Sequence, residues 1–403
     1  MNVKTFLLGS TIVMAGVSGA YATPEVVKEP KYVKYVRVCD AYGTGYFYIP
    51  GTETCMRLSG TVRTIVSGGD DIDATTDADL DDSKKTYSAS SRLLLAFDTA
   101  SETELGTLRS HARVSSEWSN GKEKNGGRLH AAYIELAGFS VGVESTIFET
   151  WVDGYGSVLN DDIISPAGNS RTNFVSYIFS GSSGFSAIIG AELGNASGPT
   201  TNSNKQYYYI NSSDRVVEVA NTSLPSKEVK DYTPNVLLGM KFAQGWGGVS
   251  TIAAYDAYYK KWAGKVRVDF NVDDRTSLWA MSGYKDNTDY YTADAENRLS
   301  RENTTIYANW GGNWAIWAGA TYKVTPKAKL NAQVSYSAVK TFATSANVVY
   351  TLVPGLTITP EVSYMSWNDD RTFGRNENSV PVYTSSLNGK HAIQGMLRIQ
   401  RSF

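Results

Sequence analysis

Apolar and polar side chains alternate with a period of two from Met56 almost to the C-terminus. The segment MRLSGTVRTIV places Leu58 and Val62 on one face and Arg57 and Arg63 on the other. Stretches with the period of an α-helix are scarce. Because successive side chains of a strand point to opposite faces, this pattern predicts a chain built almost entirely of β-strands.

Sixteen such segments of about ten residues each follow one another along the chain, and their connections alternate in length. The short connections contain turn formers at Gly138 and in residues 180–184, 244–248, 324–327 and 353–355. The others are mostly long and polar and include residues 67–88, 148–172, 194–233, 285–304 and 368–390. This alternation predicts an up-and-down antiparallel meander with tight turns at one end and long loops at the other.

A soluble sandwich and a membrane barrel could both use this meander. The polar face decides between them, because it carries Arg57, Arg63, Arg92, Arg109, Arg113 and Arg267. Such a row is unusual on the surface of a sandwich but ordinary for the wall of a water-filled channel. An even number of strands can close without leaving an edge in lipid. We therefore predict an all-β fold, a 16-stranded antiparallel transmembrane β-barrel with long extracellular loops and short periplasmic turns.

Tryptophans near the predicted strand ends are expected to form aromatic girdles at the membrane interfaces. These are Trp118, Trp262, Trp310, Trp314 and Trp367.

The last nine residues, GMLRIQRSF, have the alternation of a final strand that pairs with the first. Leu397, Ile399 and Phe403 are predicted to face lipid, whereas Arg398 and Gln400 are predicted to face the lumen.

The N-terminus has the features of a secretory signal peptide over residues 1–22. Lys4 is followed by a mostly apolar stretch and by the small residues Ala20 and Ala22 at an expected cleavage site. A membrane anchor is disfavoured because this stretch is short and interrupted by polar residues. The rest of the chain has no apolar run of about 20 residues, so contact with a bilayer would have to involve strands. The formal net charge is −2, and the absence of a basic excess argues against nucleic acid as a partner.

The two cysteines, Cys39 and Cys55, lie close together in an exported chain and predict one disulfide that closes a short loop. We interpret residues 23–55 as a periplasmic extension containing this loop and residues 56–403 as the barrel. No metal or other cofactor is expected, since the three histidines lack ligand-spaced neighbours. The aspartate-rich residues 70–82 could attract divalent ions, but they lack the pattern of a calcium loop. No nucleophile motif supports an enzyme.

Several long motifs resemble the alphaproteobacterial general porins of the Brucella and Bartonella type. They include YVRVCDAYGTGYFYIPGTETCMRLSG, SETELGT, LNDDIIS, WGGNWAIWAG, LVPGLTITPEVSY and the terminal RIQRSF. The resemblance covers essentially the whole chain after the leader. It implies a homotrimeric outer-membrane porin in contact with lipid and lipopolysaccharide, which passes small hydrophilic solutes. It also implies that Phe403 is the signal read by the barrel-assembly machinery and that the third long loop folds into the lumen.

This third loop, at about residues 148–172, would form a pore constriction. Its acids Glu149, Asp153, Asp161 and Asp162 would face basic side chains of the first strands, namely Arg57, Arg63, Arg92, Arg109 and Arg113. Carboxylates opposite guanidinium groups create a transverse field across a narrow passage. In the alternative interpretation, Asp161 and Asp162 are turn or cap residues that never reach the pore.

A plugged or adhesive surface barrel that binds a ligand through its loops is the alternative function. The sequence leaves open the ion selectivity, the solute size limit, the subunit interface, any receptor role of the loops and the role of residues 23–38.

Overall fold

The structure of the chain is a computed structural model. The structure describes residues 37–82, 87–153, 155–168, 171–193, 207–211, 216–219, 232–257, 259–286, 289–293, 298–302, 306–375, 381–383 and 385–403. The predicted signal peptide lies outside the described residues, as does most of the segment 23–38. One compact unit spans Val38–Phe403. None of the helices in the described ranges has the length and apolarity needed to cross a membrane.

Sixteen antiparallel strands within the described residues form a closed barrel. In chain order they are β1 Cys55–Gly69, β2 Tyr87–Thr103, β3 Gly106–Ser119, β4 Lys122–Leu136, β5 Phe139–Glu144, β6 Thr172–Ser180, β7 Phe185–Glu192, β8 Asn235–Gln244, β9 Gly247–Asp256, β10 Lys261–Asn271, β11 Thr276–Lys285, β12 Trp314–Thr325, β13 Ala328–Ser337, β14 Thr341–Val353, β15 Leu356–Trp367 and β16 Lys390–Ser402. Each strand pairs with its neighbour in sequence, and β16 pairs with β1 to close the sheet. The predicted fold class is confirmed.

The remaining elements are short. The strand Phe47–Tyr48 adds to the start of β1. The long connections contain the strands Tyr207–Ile210, Val216–Val219, Tyr290–Ala293 and Leu299–Glu302, which form one small sheet, and Thr372–Arg375 with Pro381–Tyr383, which form another. The helices are α1 Asp77–Asp82 and α2 Ile147–Thr150, and the 3₁₀ turns are Asp40–Tyr42 and Ser182–Gly184.

The two faces of the wall follow the predicted parity. Outward side chains such as Leu58, Val62 and Ile399 are apolar and exposed, while inward side chains such as Asn331 and Asn347 are polar and buried. Because the lumen side carries the polar groups, the apolar outer band must contact lipid.

The prediction of aromatic girdles is wrong for two of the five tryptophans. Trp118, Trp262 and Trp314 are exposed on the outside, but Trp310 and Trp367 are buried. Trp367 follows the inward parity of β15, and Trp310 lies in the connection between β11 and β12, where strand parity does not apply.

The seven connections at one end, which we call the turn end, are tight. At the opposite end, which we call the loop end, not every connection is long. Three of them are short, at residues 120–121, 257–260 and 338–340. The five long connections lie where the sequence predicts them.

The C-terminus lies against the first strand as expected. The backbone N–H of Phe403 donates to the carbonyl of Gly60 at 3.0 Å, and the N–H of Gly60 donates to the carbonyl of Phe403 at 2.9 Å. These two hydrogen bonds extend the pairing of β16 with β1 to the C-terminal residue.

The predicted disulfide between Cys39 and Cys55 is present. It closes a loop at the turn end, which packs against inward side chains of the first strands. The Arg57 guanidinium lies 4.9 Å from the centre of the Tyr46 ring, and the Arg109 guanidinium lies 5.8 Å from that of Tyr42.

Candidate functional site

The connection between β5 and β6, residues 145–171, is the third at the loop end and is called loop 3 below. Its start is bound by Glu192, a buried carboxylate at the end of β7. The Glu192 oxygens accept hydrogen bonds from Thr146 Oγ1 at 2.9 and 2.8 Å and from the backbone N–H of Ile147 at 2.6 Å. They also accept one from the Tyr307 hydroxyl at 2.6 Å. A single wall carboxylate thus binds two of the long connections.

A second wall carboxylate, Glu361 on β15, binds the far part of loop 3. It is 6% exposed and accepts hydrogen bonds from the backbone N–H groups of Leu159 and Asn160, the latter at 2.7 Å. Asn347 Nδ2 donates to the same carboxylate at 2.9 Å and holds it in place. Charge-assisted bonds of this kind are stronger than neutral ones, so Glu361 is a firm anchor.

Cations of the inner wall contact loop 3 between these two carboxylates. Lys265 Nζ on β10 donates to the carbonyl of Pro166 at 3.0 Å, and Arg267 Nη1 donates to that of Tyr155 at 3.1 Å. Lys241 on β8 lies with its ammonium 4.5 Å from the centre of the Trp151 ring. Loop 3 therefore contacts inward residues of β7, β8, β10 and β15.

Two glycines on the inner wall provide space for the apolar side chains of loop 3. A Cβ atom at Gly190 of β7 would overlap with Ile147, and one at Gly239 of β8 would overlap with the indole of Trp151. Both loop side chains are buried there. The close approach of loop and wall thus favours glycine at both positions, most strongly at Gly239, where the neighbouring atoms belong to a rigid ring.

Five arginines on adjacent strands line the other part of the inner wall, and we call them the arginine face. They are Arg398 on β16, Arg63 on β1, Arg92 on β2, Arg113 on β3 and Arg128 on β4. Arg63 and Arg92 are direct cross-strand partners. Arg92 Nη2 lies 2.7 Å from His130 Nε2, and Arg113 lies 3.7 Å from Glu144. The charge of Glu117 on β3 also acts on Arg63 and Arg92, so wall carboxylates balance part of the positive charge of this face.

Two of the predicted loop acids lie near the arginine face. The charge of Asp161 interacts with Arg398 and Arg63, and that of Glu149 interacts with Lys265 and Arg113. Partial burial, reinforced by the charge of Asp162, raises the pKa of Asp161 well above its ordinary range.

The other two loop acids are placed differently. Asp162 is exposed, and the charge of Asp153 acts on the wall lysines Lys241 and Lys265 instead of the arginine face. Of the first two acids, Glu149 resembles Asp161 in that burial raises its pKa.

Arg57 and Arg109 lie away from loop 3, near the turn end, where their guanidinium groups contact the rings of Tyr46 and Tyr42 and remain accessible to solvent. Arg57 also pairs with Asp98 at 2.9 Å, and His111 binds the same carboxylate at 2.7 Å. The structure therefore brings Arg63, Arg92 and Arg113 together and separates the two remaining arginines from them.

Four further residues complete the site but were not among its predicted members. Arg128 and Arg398 extend the arginine face, His130 binds Arg92, and Glu361 anchors loop 3. Parity already predicts that Arg398 faces the lumen, and it could have indicated Glu361 in the same way, since each lies on the polar face of its strand. Nothing in the sequence identifies the hydrogen bonds that Glu361 accepts.

Over the described part of the chain, no group of three or more histidine, cysteine, aspartate or glutamate side chains is arranged to hold a metal ion.

Comparison with known proteins identifies relatives over the full length. A sequence profile described as the porin subfamily matches residues 25–396. The chain is 40% identical over 415 residues to porin Omp2b of Brucella suis and 39% identical over 416 residues to porin Omp2b of Brucella abortus (strain 2308), covering 100% of both chains in each case.

Solved structures share the fold at low sequence identity. The outer-membrane channel DcaP of Acinetobacter baumannii matches with a TM-score of 0.58 at 14% identity, over 88% of this chain and 99% of that one. A triple mutant of the Rhodopseudomonas blastica porin matches with a TM-score of 0.52 at 13% identity, over 86% of this chain and 100% of that one. With the barrel and the full-length relatives together, the chain belongs to the porin subfamily, whose members are outer-membrane channels and not enzymes.

Proposed function

We propose that the protein forms a water-filled passive diffusion channel for small hydrophilic solutes and ions, narrowed by loop 3. One observation carries this proposal. Loop 3 is bound to the wall formed by β7–β15, and the arginine face lies on the other part of the wall, on β16 and β1–β4. The passage is defined by Glu149 and Asp161 of loop 3 on one side and by Arg63, Arg92 and Arg113 of the wall on the other. Arg128 and Arg398 extend the row of arginines.

Selection in this channel would come from a field and not from tight binding. Carboxylates on one side and guanidinium groups on the other create a transverse field, which a narrow passage with low-dielectric walls focuses. A dipolar solute aligns with this field, whereas an apolar solute gains nothing to offset the loss of ordered water. Asp153 and Asp162 act at the edges of the passage, and Arg57 and Arg109 act at the turn-end mouth.

The direct test is conductance of the purified, refolded protein in a planar bilayer under a salt gradient. We expect stepwise, long-lived openings with a linear current–voltage relation. The sign of the reversal potential reports whether loop acids or wall arginines dominate. A silent bilayer that demonstrably contains inserted protein would refute the diffusion channel.

We also propose that the protein acts as a homotrimer in contact with outer-membrane lipid and lipopolysaccharide, after removal of residues 1–22 and insertion by the barrel-assembly machinery through Phe403. Support for self-association comes from the wall around β5, which has only six residues. Transmembrane strands need about 9–11 residues, so this part of the wall is too short to span a bilayer without cover.

A further inference from the structure

The loop closed by the disulfide, residues 39–55, is called the disulfide loop below, and part of it lies inside the lumen. Its short strand Phe47–Tyr48 continues the wall beside the start of β1. The residues before this strand follow the inner face of β1–β3. Tyr42 thereby reaches the Arg109 guanidinium on β3, which lies 5.8 Å from its ring centre, and Glu102 on β2, which accepts a hydrogen bond from its hydroxyl. The disulfide loop thus crosses three strands on the lumen side.

The depth to which the disulfide loop enters the barrel follows from its contact with Arg57. A Cβ atom at Gly45 would lie 3.6 Å from Cδ and 3.8 Å from Cγ of Arg57, so the loop backbone passes the base of this inward side chain. Arg57 is the cross-strand partner of Asp98, which lies five residues before the end of β2 at Thr103. Five residues of a strand span about 16 Å along the strand. Gly45 therefore lies inside the mouth of the barrel and not below it.

The disulfide loop is packed firmly against the wall. Tyr46 is 5% exposed and Ala100, an inward residue of β2, is 1% exposed, and the two cysteines are buried with them. The Tyr46 carbonyl accepts a hydrogen bond from the Cys39 N–H at 2.9 Å, and the Tyr46 ring centre lies 4.9 Å from the Arg57 guanidinium. A covalent bond, backbone hydrogen bonds and buried rings together leave the loop little freedom to move out of the lumen.

The exposed groups of the disulfide loop and of the wall beside it face the water that remains in the lumen. Thr44 lies at the tip of the inward bend, between Gly43 and Gly45, whose φ angles of 110° and 87° favour glycine. Its side chain is exposed, as is that of Arg109. A solute that crosses the lumen at this level therefore passes both side chains.

We infer that the disulfide loop is a second filter of the channel, in series with loop 3. Loop 3 is bound to the wall formed by β7–β15, whereas the disulfide loop narrows the lumen from β1–β3, so a solute meets the two on different sides. Arg57 and Arg63 are six residues apart on β1, so the two levels are separated by about 20 Å along the strand. Thr44 sets the width of the second level, and Arg109 contributes to its charge. The inference rests on the proposed function, because a filter requires a channel that conducts.

The variant Thr44→Trp tests the width of the second level. Because Thr44 is exposed, the barrel should fold as before, and heat-modifiable migration on gels checks this. We expect a lower single-channel conductance in planar bilayers and a smaller size limit for polyethylene glycols of graded mass, because the indole extends into the remaining opening. Thr52→Trp is the matched control. Thr52 is exposed in the same loop, in the turn that precedes β1, and its replacement should leave both properties unchanged.

The variant Arg109→Gln tests the charge of the second level. Loss of the guanidinium should shift the reversal potential toward cation preference, since the Debye length of about 10 Å at 0.1 M salt lets this charge act across a narrow opening. Arg275→Gln, at an exposed position in the turn between β10 and β11, is the control and should shift the reversal potential less.

The outcomes separate the second filter from the channel itself. Equal conductance and an equal polymer limit in Thr44→Trp and the wild type would overturn the second filter and leave the channel proposal in place. An unchanged reversal potential in Arg109→Gln would overturn the contribution of Arg109. A wild-type protein that is inserted in the bilayer but silent would refute both proposals.

Discussion

At the scale of single residues, the position of loop 3 depends on two buried carboxylates of the wall. Glu192 binds the start of the loop and Glu361 binds its far part, and in both cases the donors include backbone N–H groups. Such donors cannot be left unpaired in a confined site without cost. The carboxylates therefore act on the loop backbone, whatever side chains the loop presents to the channel.

The variant Glu361→Gln tests this anchoring. The amide retains the size of the side chain but loses the negative charge, and one of its two terminal atoms becomes a donor facing the N–H groups of Leu159 and Asn160. Each lost charge-assisted bond is worth about 1.5–3 kcal/mol. We expect higher single-channel conductance and faster uptake of larger sugars into proteoliposomes. Glu123→Gln, at an exposed position in β4, is the control and should leave both properties unchanged. Unaltered conductance in Glu361→Gln would show that the loop needs no such anchor.

The ion preference should depend on pH through Asp161. Because its pKa is raised by burial and by Asp162, its carboxylate takes up a proton at a higher pH than an ordinary aspartate, whose pKa is about 3.9. Protonation removes negative charge opposite Arg63 and Arg398, so the channel should shift toward anions as the pH falls from neutral. Reversal potentials measured across that range check this shift. In Asp161→Asn the shift should be smaller, and an identical shift in that variant would assign the titration to another group.

At the level of elements, the fit between loop 3 and the wall depends on two glycines, which have no side chain to fill the space that the loop occupies. Gly239 leaves the space that the Trp151 indole occupies, and Gly190 does the same for Ile147. The strands themselves tolerate glycine there because neighbouring strands supply the ladder hydrogen bonds, so the cost of glycine is offset by the packing of the loop.

Gly239→Ala should therefore displace loop 3 while the barrel remains closed. The new methyl group would overlap with a rigid indole, and overpacking of this kind costs about 1–3 kcal/mol. We expect a lower melting temperature and broader conductance fluctuations. Gly68→Ala in β1 is the control, because the nearest atom to its Cβ, in Tyr87, is 3.9 Å away. A Gly239→Ala protein as quiet and stable as this control would contradict the packing argument.

At the level of the whole molecule, the barrel wall is shortest at β5, beside loop 3. β4 spans Lys122–Leu136, but β5 pairs only with Ala132–Leu136. In the described structure, residues 122–131 therefore lack a ladder partner on the β5 side, although Arg171 donates to the carbonyl of Leu129. Open sheet edges are not tolerated in lipid, so a second copy of the chain is the expected cover.

Val141→Arg on the outer face of β5 should convert trimers to monomers. Val141 is 54% exposed, and a guanidinium at that position would have to be buried between subunits without a partner. Val334→Arg on β13, at a side chain that is 44% exposed, is the matched control. It carries a similar lipid-face penalty of about 2–4 kcal/mol but should leave the trimer intact. Light scattering in detergent measures the mass, and identical masses for the two variants would remove β5 from the interface.

The barrel follows from the sequence alone. Alternation with a period of two states which side chains face lipid and which face water, and the lengths of the connections place the long loops at one end. For the same reason the lumen orientation of Arg63, Arg92, Arg113 and Arg398 could be predicted, because parity is a local property of each strand. The two cysteines were close enough in sequence for their pairing to be predicted as well.

The contacts of these inward side chains depend on how the whole chain folds. Parity does not distinguish Arg57, which contacts the Tyr46 ring at the turn end, from Arg63, which faces loop 3. It also could not place Trp310, which lies in a connection, or predict that Arg301 donates to the carbonyl of Asn309. Contacts between a loop and a distant wall depend on closure of all sixteen strands, since closure sets how far apart the two sides stand. No single segment of the chain determines that distance.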